Sequence, residues 1–188
     1  MNSDIKILKL LLDNKESNFT IRKISESLGI NYRIAYEKTH LLEKEGLIKI
    51  TKIGNSKISK FLNEFDSKVF EAEYERRNKL LKKRDFLVLH KMLADINFCF
   101  IALLFGSQVR GNTRKYSDID ILFIGGDERK IKSTISLLPD KVDFTHITEK
   151  EFIQMLKSKE FTVVSEAVKN NIILIGIEEY YRLLRNAR

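Results

Sequence analysis

Apolar positions in the first sixty residues fall into short helical periods. Ile5, Leu8, Leu11 and Leu12 recur at helix spacing and predict one helix near the start. Asn18-Phe19-Thr20 reads as a short extended link. Thr20 is a good N-cap for a helix over 21–28, although Lys23 at N3 leaves the capping box incomplete. Gly29 stands where a C′ glycine ends a helix. Asn31 caps a longer helix through about Glu45, with Ile34, Leu41 and Leu42 as its apolar side, and Gly46 stops it. Leu47–Ile53 then reads as a strand, Gly54-Asn55-Ser56 as a turn and Lys57–Leu62 as the return strand. Residues 63 to about 95 read as mostly helix, with Phe70, Tyr74 and Leu81 on one face and Phe86, Leu89 and Leu93 on another.

From residue 97 onward, strand-like apolar runs alternate with helical ones, the signature of an α/β or α+β domain. Asn97–Phe105 predicts a buried strand, Tyr116–Ile124 a second and Lys141–Ile147 a third. Gly125-Gly126 reads as a strand-to-helix turn and Asp127 as the opening of a helix. Val163, Val164, Ala167, Val168 and residues 172–175 read as core. The pattern therefore changes character twice. We divide the chain into an N-terminal domain over 1–62, a connecting helix over 63–85 and a C-terminal domain over 86–188.

Composition narrows the classes. The chain has 188 residues, 43% of them hydrophobic and 32% charged, which excludes a disordered chain. No apolar run approaches the ~20 residues that a membrane helix needs. The acid-bearing N-terminus does not read as a secretory signal. The single cysteine, Cys99, sits in an apolar run and reads as a buried, inert thiol. These features point to the cytoplasm. There are 34 Lys plus Arg against 26 Asp plus Glu, a net charge of +8. That excess permits anionic partners without proving them. Between residues 76 and 84, Arg76, Arg77, Lys79, Lys82, Lys83 and Arg84 form a basic run. It reads either as a solvated helix face or as one turned to nucleic acid.

Helix, helix, short turn, helix and hairpin is the order of a winged helix-turn-helix, and residues 1–62 resemble that family. The resemblance implies a recognition helix from Asn31 that enters the DNA major groove, with the hairpin as a wing on the backbone. Asn31, Tyr32, Arg33, Tyr36 and Lys38 are the groups that would reach bases or phosphates. Lys52 and Lys57 belong to a hairpin that also carries Lys49 and Lys60 and no acid. Glu37, Glu43 and Glu45 oppose this reading by repelling phosphates. The other reading of the same segment is a protein-docking or dimerisation module.

The chemistry concentrates in the second half. Asp118 and Asp120 project from one face of their strand, because side chains alternate. Side-by-side carboxylates repel, and a fold tolerates them best around a cation. Asp143, on the next strand, can face the same cation if the strands pair. Three carboxylates are hard oxygen ligands suited to Mg²⁺ or Mn²⁺. Gly106-Ser107, at a strand-to-helix junction, suits a phosphate, since glycine lets the backbone approach the anion.

Gly106-Ser107, ten residues and then Asp118-Ile119-Asp120 resemble the GS-x10-DxD pattern of the DNA polymerase beta-type nucleotidyltransferases. "LFGSQVRGNTRKYSDIDILFI" is similar to the minimal members of that superfamily. The resemblance covers about 86–188 and implies a short mixed sheet flanked by helices. It implies that Asp118 and Asp120 ligate two divalent metals and that Asp143 completes the site. It also implies that Gly106 and Ser107 hold the β- and γ-phosphates of a nucleoside triphosphate, with ATP the expected one. Arg110 and Ser117, inside the motif, are further nucleotide-binding candidates, and Arg114 and Lys115 share the segment. His40, His90 and His146 are not expected to act as bases.

The leading expectation is thus a metal-dependent transfer of a nucleoside monophosphate from a triphosphate to a hydroxyl acceptor, coupled to a DNA-binding domain. One alternative is a DNA-binding regulator whose second half senses nucleotides or is inactive. Another is an antitoxin-like enzyme that adenylylates a protein partner. A homodimer is compatible with a winged module.

Overall fold

The computed structural model describes residues 2–54, 56–110, 118–138, 141–158 and 162–187. Ser117, with Gly111, Arg114, Lys115 and Tyr116, lies outside them, as do Asn55 and Pro139. The chain divides into two compact units, residues 1–75 and 76–188.

The first unit opens with α1 (Ser3–Asp13), β1 (Phe19–Thr20), α2 (Ile21–Leu28) and α3 (Tyr32–Lys44). A hairpin of β2 (Ile48–Ile53) and β3 (Ser56–Phe61) follows, and α4 (Ser67–Leu80) runs across the division. Local chemistry sets these boundaries. The Thr20 hydroxyl accepts the Lys23 N–H at 3.1 Å, the Asn31 side chain accepts the Arg33 N–H at 2.8 Å, and Gly29 ends α2 in the left-handed region. The link at residues 19–20 becomes an outer strand, because β1 pairs antiparallel with β3 in the order β1-β3-β2. Ile7, Leu8, Leu12, Ile24, Leu42 and Ile48 are buried, each worth about 1.5–3 kcal/mol relative to exposure. Lys68 joins three helices, with Nζ 2.6 Å from Glu45 and 3.5 Å from the buried Asp4.

Two helix faces differ from the expected ones. On α3 the buried positions are Ala35, Thr39 and Leu42, whereas Ile34 is 43% exposed and Leu41 37%. Small residues permit close approach of α3 to α1 and α2, against which it packs. On α4, Tyr74 is exposed, and the buried positions are Val69, Ala72, Glu73, Arg76 and Leu80.

The second unit begins within α4 and continues through α5 (Arg84–Ala94), β4 (Ile101–Phe105), α6 (Ser107–Arg110), β5 (Ile119–Ile124) and α7 (Glu128–Ile135). It ends with β6 (Val142–Ile147), α8 (Glu149–Lys157), α9 (Val163–Lys169), β7 (Ile172–Ile175) and α10 (Ile177–Asn186). The sheet is mixed, in the order β6-β5-β4-β7: β4 runs antiparallel to β5 and β7, and β5 runs parallel to β6. Every residue of β4 is buried, as expected for a central strand covered on both faces. Ala102, Leu104, Ile121 and Phe123 share a core with Phe86, Leu89 and Leu93 of α5 and Ile131 and Ile135 of α7. The opposite face carries Leu103, Leu122 and Asp120, and α9 packs there against β4 and β5.

Four expectations change in this unit. The strand starts at Ile101 rather than Asn97, and Cys99 is exposed. Phe98 and Phe100 turn inward on either side of it, their rings 5.9 Å apart, and leave the thiol outside. Val163, at the start of α9, is exposed rather than core. The basic run is split. Arg76 is buried and donates to the Asn171 carbonyl at 2.7 Å, and Arg77 donates to the Leu174 carbonyl at 3.1 Å. These two arginines satisfy carbonyls at the edge strand β7 instead of facing solvent or nucleic acid, while Lys79, Lys82, Lys83 and Arg84 are exposed. Among the described residues no helix is long and apolar enough to cross a membrane.

Candidate active site

Strand register assembles the carboxylates. In the parallel β5–β6 ladder Asp120 lies opposite Asp143, and Ile119 lies opposite Val142. On its other side Asp120 lies opposite Phe105, the last residue of β4, so the next residue, Gly106, turns directly over it. Gly106 has φ +71°, and a Cβ built there would come within 2.9 Å of the Asp120 Cγ. The Ser107 backbone N–H donates to the Asp120 carboxylate. The glycine-serine bend and the aspartate pair are therefore one packed assembly.

Asp120 is charged under adverse conditions. Desolvation by burial comes first in raising its carboxyl above the ordinary value, followed by the like charges of Asp143, Glu166 and Asp118. The Ser107 amide opposes that rise and does not cancel it. Asp143 is exposed, on the edge strand β6. Asp118 precedes β5 and is held by Lys141, whose Nζ lies 2.7 Å from its Oδ2.

Glu166 is the group that the sequence pattern missed. It projects from α9 close enough to burden Asp120 electrostatically and forms an ion pair with Arg110, at the end of α6. Nothing local in Ser165-Glu166-Ala167 marks it. Arg110 thus stands at the bend, as the motif suggested, but already engaged with a carboxylate.

Among the described residues no three His, Cys, Asp or Glu side chains gather into a cage for a metal ion. The convergence expected of Asp118, Asp120 and Asp143 is incomplete as these side chains stand. The donor set still fits a hard divalent cation: it is all oxygen, two members are register partners, and Asp120 carries like-charge repulsion that is only partly compensated. An ammonium already stands against Asp118.

The histidines behave as structural groups. His146 Nε2 lies 3.0 Å from the Gly125 carbonyl, and His40 stacks edge-on against Tyr36 with centroids 4.4 Å apart. His90 is half-buried, and burial followed by the Arg77 charge lowers its pKa.

In the first unit the polar candidates separate into two groups. Asn31 serves as the cap of α3, and Arg33 pairs with Glu37 at 2.8 Å. Tyr32 and Tyr36 are exposed and lie 6.4 Å apart, and Lys38 is half-buried. On the hairpin Lys52 lies directly opposite Lys57, and Lys49 lies opposite Lys60. All four are exposed, and among the described residues none is ion-paired. Like charges directly across a ladder destabilise it, so the hairpin holds uncompensated positive charge.

No curated protein matches the chain. Residues 89–180 match the model of the family described as Polymerase beta, Nucleotidyltransferase, and the matched segment holds the Gly106 bend and the registered aspartates.

Proposed function

We propose that the second unit transfers a nucleoside monophosphate from a nucleoside triphosphate to a hydroxyl acceptor, and that the first unit is a winged helix-turn-helix that binds duplex DNA. The observation behind the catalytic half is the placement of Asp120, registered with Asp143 and packed under Gly106 in the segment that matches the nucleotidyltransferase family model.

Asp118, Asp120 and Asp143 are the residues that would hold Mg²⁺ or Mn²⁺. When bound, the metal supplies the positive charge that acidifies the acceptor hydroxyl and neutralises the departing pyrophosphate. The chain's own contribution is placement. Gly106 removes the side chain that would keep a triphosphate from the backbone, and Arg110 offers a guanidinium at the same bend. Asp143 stands on the exposed edge strand, where an acceptor has access. The acceptor oxygen bonds to the α-phosphorus as the bond to pyrophosphate breaks, and the hydroxyl proton is released. The 188-residue chain with Mg²⁺ is expected to bind at least one of ATP, CTP, GTP and UTP saturably, with ATP the first to test. Failure to bind any of the four, with all three aspartates intact, overturns the reading.

The observation behind the DNA half is the lysine-only hairpin with its two facing lysine pairs. Phosphates relieve that repulsion, and displaced counterions make such binding salt-dependent. Replacing both Lys52 and Lys57 by Ala is expected to weaken binding to all duplexes alike. It should also reduce the slope of log K against log salt by about two. A wild-type protein that does not bind duplex at low salt would contradict this half.

A further inference from the structure

The same ladder that registers the aspartates also places a cation among them. Ile119 lies opposite Val142 and Asp120 opposite Asp143. Stepping that register back by one residue puts Lys141 beside Asp118. The backbone agrees, because the Ile119 N–H donates to the Lys141 carbonyl at 3.0 Å. The pleat sends residues i and i+2 to one face, so Asp118 and Asp120 on one strand line up with Lys141 and Asp143 on the next. Lys141 Nζ sits 2.7 Å from Asp118 Oδ2 and also feels the charge of Asp143. Three carboxylates and one ammonium leave a charge of −2, that of one divalent cation reversed.

We propose that Lys141 is the built-in counter-ion of the carboxylate site: it holds Asp118 while no metal is bound and is displaced when a divalent cation enters. This inference rests on the proposed divalent site and adds a residue to it. It accounts for the incomplete convergence of the three aspartates, since Asp118 is drawn to Lys141. Lys141 is a positioning residue, acting through Asp118. Its side chain is 78% exposed, so water screens the pair and displacement is inexpensive. The neighbouring Glu166 is ion-paired with Arg110, and among the described residues Lys141 is the cation held against Asp118.

The test measures Mn²⁺ binding to the full chain, without nucleotide, by the loss of the free-ion electron paramagnetic signal. Lys141→Met is expected to bind Mn²⁺ about tenfold more tightly than wild type at low salt, the scale of one unit charge near a divalent ion in water. The gain should shrink as salt rises, and Lys141→Arg should stay near wild type. Melting temperature gives a second readout: without metal, Lys141→Met should melt lower than wild type, and saturating Mg²⁺ should raise it by the larger increment. Equal Mn²⁺ affinity in wild type and Lys141→Met, or weaker binding in the variant, would overturn the role of Lys141 while leaving the divalent site standing. Binding by neither protein would overturn the divalent site, and the inference with it.

Discussion

Asp120→Asn is expected to abolish nucleotidyl transfer and at the same time raise the melting temperature of the metal-free protein at neutral pH. Both effects come from the same electrostatics. Asp120 is desolvated and faces Asp143, Glu166 and Asp118, and the Ser107 amide compensates only in part. Asparagine keeps the shape and an acceptor for the Ser107 N–H while removing the charge. Under the proposed function a metal at the reaction centre supplies several kcal/mol of transition-state stabilisation, so losing Asp120 as its proposed ligand should cost on the order of 10³-fold in rate. The stability effect has a definite sign. A carboxyl whose folded-state pKa lies above its unfolded value favours folding when protonated. Below the ordinary value near 3.8 both states carry the proton, and charge adds no penalty. As pH rises from there through the raised value, wild type loses stability, and above that value the loss is complete. Asparagine does not titrate, so the advantage of the variant should be absent in acid, grow across that window and persist at neutrality. Melting curves across pH, compared between the two proteins, check this. Saturating Mg²⁺ should narrow the gap by stabilising wild type alone. A variant that melts below wild type at neutral pH would show that Asp120 is not electrostatically burdened.

The features legible in the sequence are those whose causes are local. Thr20, Asn31 and Asp127 cap helices within three residues of themselves, and each does so in the structure. The strands β5 and β6 announce themselves by apolar composition, and the spacing from Gly106-Ser107 to Asp118 marks the bend and the carboxylate pair. What escaped reading depends on partners far along the chain. Arg76 finds its carbonyl at Asn171 and Arg77 at Leu174, and no local pattern separates them from the solvated lysines that follow. Glu166 meets Arg110 only because α9 covers the sheet. Lys141 is visible in sequence, but its pairing with Asp118 follows from the parallel register. On α3, counting large apolar residues favoured Ile34 and Leu41, whereas close packing of helices selected Ala35 and Thr39. Cys99 shows the limit of reading an apolar run as one strand. The pairing begins at Ile101, and the aromatic rings before it turn in while the thiol between them does not.

Gly106→Ala is expected to lose nucleotide binding and to destabilise the protein by more than backbone strain accounts for. Gly29 provides the comparison. Both glycines have left-handed φ, +71° for Gly106 and +60° for Gly29, but a Cβ at Gly29 meets nothing within 4 Å. Gly29→Ala therefore carries only the conformational penalty of a left-handed L-residue, about 1–2 kcal/mol. At Gly106 the added methyl drives into the Asp120 side chain, with Cγ at 2.9 Å and a carboxylate oxygen nearer still. Asp120 cannot yield freely: it is fixed in the ladder between Phe105 and Asp143, and its carboxylate accepts from Ser107. The clash adds an overpacking cost of about 1–3 kcal/mol and pushes aside the group on which the site depends. A double-mutant cycle separates the two contributions. Combined with Asp120→Gly, which removes the obstructing side chain, Gly106→Ala should recover most of the excess stability loss, leaving a deficit close to that of Gly29→Ala, and should not recover transfer activity. Chemical denaturation of the four proteins reads the coupling directly. If Gly106→Ala costs no more than Gly29→Ala and still binds a triphosphate, the bend and Asp120 do not form a single packed site.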